Sequence, residues 1–361
     1  MANKFWLLAG TGSLAIACGA QVDVGGPRDT GGAGGEASQA SGGSASHVGG
    51  NSHQTSGGEA AVAGTAPGVG ASSGNDQGGS GAVGGAETGG NTGGDSSGGR
   101  YSGPFKILVL STTLEFKHDS IPICQLMVGV ESQRAAVEAD RGHALPPNLG
   151  ATPDAMMPTG TKPGSQWTAD VATDDLAQFT DDNLKNYAMI FSCNPTGTVF
   201  SANPRVKNAA AAMAALQKFV EDGGAWGGVH SATDFEKTNG FPWFTNTLVG
   251  GYFDHHDADG TQGTVQTQSM FTGHPVLKDV RTTWSTQDEW YYMNRDVATV
   301  PGTDVLARLA SDNRPVVWTR ELGASGRMFY TIRGHAKSVY EEQDFRTLVR
   351  NGILWATHRL N

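Results

Sequence analysis

Five side chains carry most of the chemistry this sequence can do: His118, His230, His256, Glu289 and His335. Imidazole titrates near neutrality without help, so it serves as a general acid or base once a carboxylate orients it. Imidazole and carboxylate together also bind a divalent metal, through neutral ring nitrogens. Both readings stand at this point. His230, His118, Glu289 and His335 form the candidate catalytic set, and His230 and His256 are candidate ligands of one divalent metal ion. The spacing matches no local signature such as H-E-x-x-H, so the fold has to bring these residues together.

The elements that could do so are legible in the pattern. Gly223-Gly224-Ala225-Trp226-Gly227-Gly228-Val229-His230-Ser231-Ala232 reads as a helix C-cap, a short buried strand and a tight turn that delivers His230. Ligands of open α/β sheets bind beyond the carboxyl ends of the strands. The apolar run 105–110 leads likewise to His118, and the run 326–332 leads to His335. A helix follows the first run, with Asp119 or Ser120 as N-cap and Pro122 in its first turn, and extends to about residue 140. Residues 170–179 contain a second strand, 187–192 form a third, and 208–222 form an Ala-rich helix. A short helix ends at Gly250-Gly251, and 252–257 reads as a polar loop. Segments 264–268, 285–292, 303–309 and 315–320 alternate as strands, and 343–358 closes the chain as an amphipathic helix.

Strand–helix alternation predicts an α/β fold: a mainly parallel sheet flanked by helices, with additional antiparallel strands in the C-terminal half. Glu289 lies among aromatic residues, which suits a partly buried carboxylate with a shifted pKa as well as it suits a solvated one. Trp226, Trp243, Trp290 and Tyr252 serve either the core or a sugar-stacking surface. His274 reads as the start of a turn, and His358 as a surface residue.

Composition limits the foldable part. Of the 52 glycines, 29 fall within 19–103, a segment nearly free of large apolar side chains. It reads as a disordered Gly/Ser-rich linker, which leaves 104–361 as one domain. Residues 1–18 read as a signal peptide of lipoprotein type. The apolar run is too short to span a bilayer, and Leu14-Ala15-Ile16-Ala17-Cys18-Gly19 places Cys18 for lipidation, with Ala15 where Leu is usual. The expected location is the bacterial cell envelope, lipid-anchored or exported, with membrane contact through the lipid alone. The formal net charge of −10 and the lack of a Lys/Arg-rich stripe argue against nucleic acid as a partner. Cys124 and Cys193 stand in no C-x-x-C and are expected as buried thiols.

Five stretches taken in order resemble the ThuA-like (trehalose utilisation) family: 116–121, 223–232, 248–253, 288–291 and 326–335. The resemblance spans 104–361. It implies a flavodoxin-like fold of the class I glutamine amidotransferase type, and a small-molecule carbohydrate as partner: trehalose, related disaccharides or their keto derivatives. It also implies that His230 or a neighbour occupies the place of the amidotransferase nucleophilic Cys, so a Cys–His glutaminase is disfavoured. Relatives tend to carry His-Pro where this chain has His255-His256-Asp257, which makes His256 the better match. The resulting expectation is a carbohydrate-active enzyme without a Cys nucleophile, of hydrolase or isomerase type. The alternative is a non-catalytic carbohydrate-binding module of the same fold.

Overall fold

The computed structural model describes residues 101–150, 157–237 and 240–361. The expected signal peptide, Cys18 and the Gly/Ser-rich segment up to residue 100 lie outside the described residues. A nine-stranded sheet forms the frame, in the order β2-β1-β3-β4-β11-β10-β9-β6-β7. Its strands are β1 (Phe105–Leu110), β2 (Trp167–Val171), β3 (Met189–Cys193), β4 (Ala225–Val229), β6 (Thr261–Thr267), β7 (Thr283–Asp288), β9 (Thr303–Leu309), β10 (Pro315–Leu322) and β11 (Gly326–Thr331). The first five in spatial order pair in parallel, and the pairs from β11 to β7 are antiparallel. β5 (Phe253–His256) and β8 (Tyr291–Met293) form a separate antiparallel ribbon. The parallel part has the 2-1-3-4-5 order of flavodoxin-like sheets, with β11 as its fifth strand.

β3 and β4 are buried along their whole length, as parallel strands covered on both faces are. α4 (Ala209–Glu221) shows why its sequence makes a docked helix. Asn208 caps it by accepting from the Ala211 N–H, and Ala212, Ala215, Leu216, Phe219 and Val220 form one buried stripe. α5 (Gln343–Ala356) packs against β11 and β4 and is buried over most of its surface.

Several expectations need correction. The helix after β1 is two helices, α1 (Ile121–Met127) and α2 (Arg134–Arg141). Gly129 lies between them at φ +105°, a region open to glycine, and it ends the first helix. The expected polar loop at 252–257 contains β5, held by pairing with β8. The expected strand 285–292 is two strands, β7 and β8, broken at Glu289 and Trp290. His358 follows α5 at φ +59° and is half-buried, with its Nε2 2.7 Å from the Ser325 carbonyl. Cys124 and Cys193 are not free thiols: they form a disulfide that ties α1 to the end of β3. Three cysteines cannot all pair, but two can, and the fold sets these two side by side. Trp226 and Trp290 are fully buried and belong to the core.

Candidate metal and catalytic site

The C-terminal end of β4 sets the centre of the site. Gly228 is needed there because a Cβ at this position would lie 2.5 Å from the Ala232 Cβ and 2.8 Å from the Trp226 ring. The chain can therefore fold back at once into the turn His230–Thr233. His230 takes the left-handed conformation, φ +46°, at that elbow. Strain at a non-glycine residue is a mark of functional positions when the surroundings hold it in place. Here Tyr330 O–H donates to the His230 carbonyl, and the Tyr291 ring lies 4.0 Å from the imidazole.

His230 is fully buried, and its Nδ1–H donates to the Ile332 carbonyl at 3.0 Å. A neutral ring so bound keeps its lone pair on Nε2. That Nε2 lies 3.3 Å from Glu289 Oε2 and 3.2 Å from His335 Nδ1. The Glu289 and His335 atoms are themselves 3.2 Å apart. Three electron-rich atoms thus form a nearly equilateral triangle. A tetrahedral ion with bonds of about 2.0 Å holds neighbouring ligand atoms roughly 3.3 Å apart. His118 adds a fourth donor, and the ligand atoms of all four residues lie within 4.8 Å of one another. The three-imidazole, one-carboxylate set suits a divalent transition ion such as zinc.

The remaining ring nitrogens also face partners. Ser231 Oγ is 3.3 Å from His118 Nδ1, and Asp259 Oδ1 is 3.7 Å from His335 Nε2. With His230 and the Ile332 carbonyl, all three imidazoles have an oxygen behind them, as metal-bound histidines usually do. Burial, followed by His230 and His335 nearby, depresses the His118 pKa from 6.5 to about 3, so this ring stays neutral at physiological pH. Burial pushes Glu289 upward, but hydrogen bonds from the His230 and His335 rings, made when those rings carry a proton toward it, prevail and hold it well below the usual carboxylate range; a metal ion would take the place of those protons. Burial pulls His335 down, and the Glu289 hydrogen bond overcomes it, leaving its pKa raised.

The sequence comparisons bear on the same region. A family model described as ThuA, trehalose utilisation, matches residues 106–356. The chain belongs to this ThuA family. No protein of curated function matches it. Among solved structures, a ThuA-like protein from Bacteroides uniformis ATCC 8492 is 20% identical, covering 71% of this chain and 92% of its own, with a TM-score of 0.49. A ThuA-like protein from Parabacteroides merdae ATCC 43184 is 15% identical, covering 70% and 90%, with a TM-score of 0.46.

In this ThuA chain the structure brings His118, His230, Glu289 and His335 together from the ends of β1, β4, β7 and β11. His256 stands apart from the four. It sits on exposed β5, and its Nδ1 lies 3.1 Å from the other Glu289 oxygen, Oε1, and 2.7 Å from the Asp257 carbonyl. Asp288 was not singled out from the sequence. Its Oδ1 accepts from the Glu289 and His335 N–H groups at 3.0 and 3.1 Å, and its Oδ2 accepts from the Gly334 N–H at 2.9 Å. Fully buried, it hangs two of the four donor residues from one carboxylate. A signal existed, because Trp284, Thr286 and Asp288 share the buried face of β7 and an inward acid on such a face is out of place. Arg333, also fully buried, reaches Asp288 at 3.7 Å and donates to Thr286 and Glu342 at 2.8 and 2.9 Å.

Proposed function

We propose that this ThuA-family protein is an exported, metal-dependent enzyme acting on a sugar or an oxidised sugar, by hydrolytic or isomerising chemistry. The observation that carries the reading is the triangle of His230 Nε2, Glu289 Oε2 and His335 Nδ1, with sides of 3.2–3.3 Å. A bound divalent ion would supply Lewis acidity toward a sugar carbonyl or hydroxyl, or toward water. The chain's own residues fix the geometry. The Ile332 carbonyl and Ser231 orient the His230 and His118 imidazoles, and Asp288 holds Glu289 and His335 by their backbone N–H groups. The family description directs the substrate class to carbohydrates, trehalose and related disaccharides first. A Cys nucleophile plays no part, since Cys124 and Cys193 are joined to each other.

Export is supported by that disulfide, which forms and persists in oxidising compartments, and by the signal-like residues 1–18 with Cys18 as the lipid site. Residues 19–103 would then serve as the tether and 104–361 as the working domain. Elemental analysis of the full chain before and after chelation, with turnover of trehalose and oxidised disaccharides followed in parallel, tests the enzyme. One equivalent of metal, lost together with turnover, is the expected result. Sugar binding with no turnover and no metal would make the protein a binding module instead. For the anchor, Cys18→Ser should release the protein from membranes, and unchanged partitioning would rule the lipid out.

A further inference from the structure

We infer that Phe116 is the stacking platform for the sugar ring, a residue that sets substrate specificity at the mouth of the site; this rests on the carbohydrate reading proposed above. Of the large apolar side chains among the described residues, few are exposed, and Phe116, at 63%, is the aromatic one. Its position is specific. The ring centroid lies 4.8 Å from the His118 ring, edge to face, and 6.4 Å from the His335 ring, at an interplanar angle of 15°. Two of the four candidate ligands therefore lie directly beside it.

The loop that carries Phe116 is fixed on both sides of the residue. Leu114 N–H donates to the Thr196 carbonyl at 3.0 Å, and Thr196 Oγ1 donates to the Phe116 carbonyl at 2.8 Å. Thr113 and Thr196 also form a parallel bridge. The ring is thus held open to solvent by an anchored backbone, next to a buried polar centre. An aromatic face of this kind takes the C–H-rich face of a pyranose, leaving the hydroxyl edge free to turn toward polar groups.

The rim of the mouth is polar. Glu115 precedes Phe116 and Lys117 follows it, both exposed, and Asp259 stands exposed 3.7 Å from His335 Nε2. The carboxylates can accept hydrogen bonds from hydroxyl groups, and the ammonium can donate to them. A polyhydroxylated ring satisfies both the apolar face and this mixed rim. Of the other aromatics weighed for stacking, Trp226 and Trp290 are fully buried and Trp243 and Tyr252 are half-buried, which leaves Phe116 the most open of the set.

The test is calorimetric titration of the full-length, zinc-loaded protein with trehalose and with glucose, comparing wild type with Phe116→Ala and Phe116→Tyr. The zinc content of each variant is measured alongside. Phe116→Ala is expected to weaken sugar binding at least tenfold with zinc stoichiometry unchanged, and Phe116→Tyr to retain affinity within a few-fold. Wild-type affinity in Phe116→Ala would overturn the platform and leave the carbohydrate reading intact. A wild-type protein that binds zinc but neither sugar would overturn the carbohydrate reading and the platform with it. Loss of zinc in Phe116→Ala would also overturn the inference, by showing that the residue supports the ligands and not the sugar.

Discussion

Asp288→Asn separates positioning from simple stability. The carboxylate takes three backbone N–H groups on two oxygens. An amide offers one oxygen and one NH2 group. If its oxygen stays on the Glu289 and His335 N–H groups, the NH2 meets the Gly334 N–H, donor against donor. Leaving one buried donor without an acceptor costs about 1–3 kcal/mol. Arg333 also loses a charge 3.7 Å away while keeping Glu342, so the total penalty should be about 2–4 kcal/mol. The same change loosens both Glu289 and His335. Loss of such outer support typically lowers metal affinity about 10–100-fold. Guanidinium unfolding of the metal-free protein reads the first number, and zinc competition against a chromophoric chelator reads the second. Reduced stability with unchanged zinc affinity would show that Asp288 holds the fold without placing the ligands. No change in either would refute the count of hydrogen bonds itself.

Two further outcomes follow from the geometry. Cys124→Ala with Cys193→Ala removes a bridge between residues 69 apart in sequence, which loop-closure entropy values at ~4 kcal/mol. The unfolding midpoint should fall, dithiothreitol should do the same to the parent, and a midpoint unmoved by either would show that the bridge is not formed. His274 is half-buried, and burial, with the charge of Arg327 second, lowers its pKa from 6.5 to about 4. The unfolded chain then binds the proton first, so this residue costs stability as pH falls from about 6.5 to about 4. His274 Nδ1 accepts from the Val276 N–H at 3.2 Å, a cap that Asn can keep without titrating. His274→Asn should therefore flatten the pH dependence of the midpoint in that window, and an unchanged slope would remove His274 from the account.

Most of the parallel half of the sheet was legible because β1, β3, β4 and β11 are short, mainly apolar runs; β2, Trp167–Val171, is mixed and part-exposed, and it starts three residues before the stretch 170–179 in which it was expected. The same pattern put His118, His230 and His335 at strand ends. Glu289 was legible by type and by its aromatic neighbours, but not by role. Its position depends on a break between β7 and β8 that the continuous alternation of 285–292 conceals. Asp288 was illegible as a support because its partners, Gly334 and His335, lie more than forty residues away and meet it only when the end of β7 returns to the end of β11. The disulfide was missed for a related reason. Nothing local says that α1 lies against the end of β3, and pairing follows from the strand order alone. His256, expected as a metal ligand, lies outside the four-residue cluster: β5 holds it on the outer side of Glu289, with its Nδ1 3.1 Å from Oε1.

The strand order has one more consequence. The sheet consists of two halves, β2-β1-β3-β4 and β11-β10-β9-β6-β7, each contiguous along its edge, and their strands meet where β11 pairs with β4, under α5. His118 and His230 come from the first half, and Glu289 and His335 come from the second. A cation held by all four would work as a rivet across that seam. All four donors would be available to it only once the two halves had docked, and once loaded it would resist their separation, adding about 2.7 kcal/mol when free metal stands at 100 times its dissociation constant.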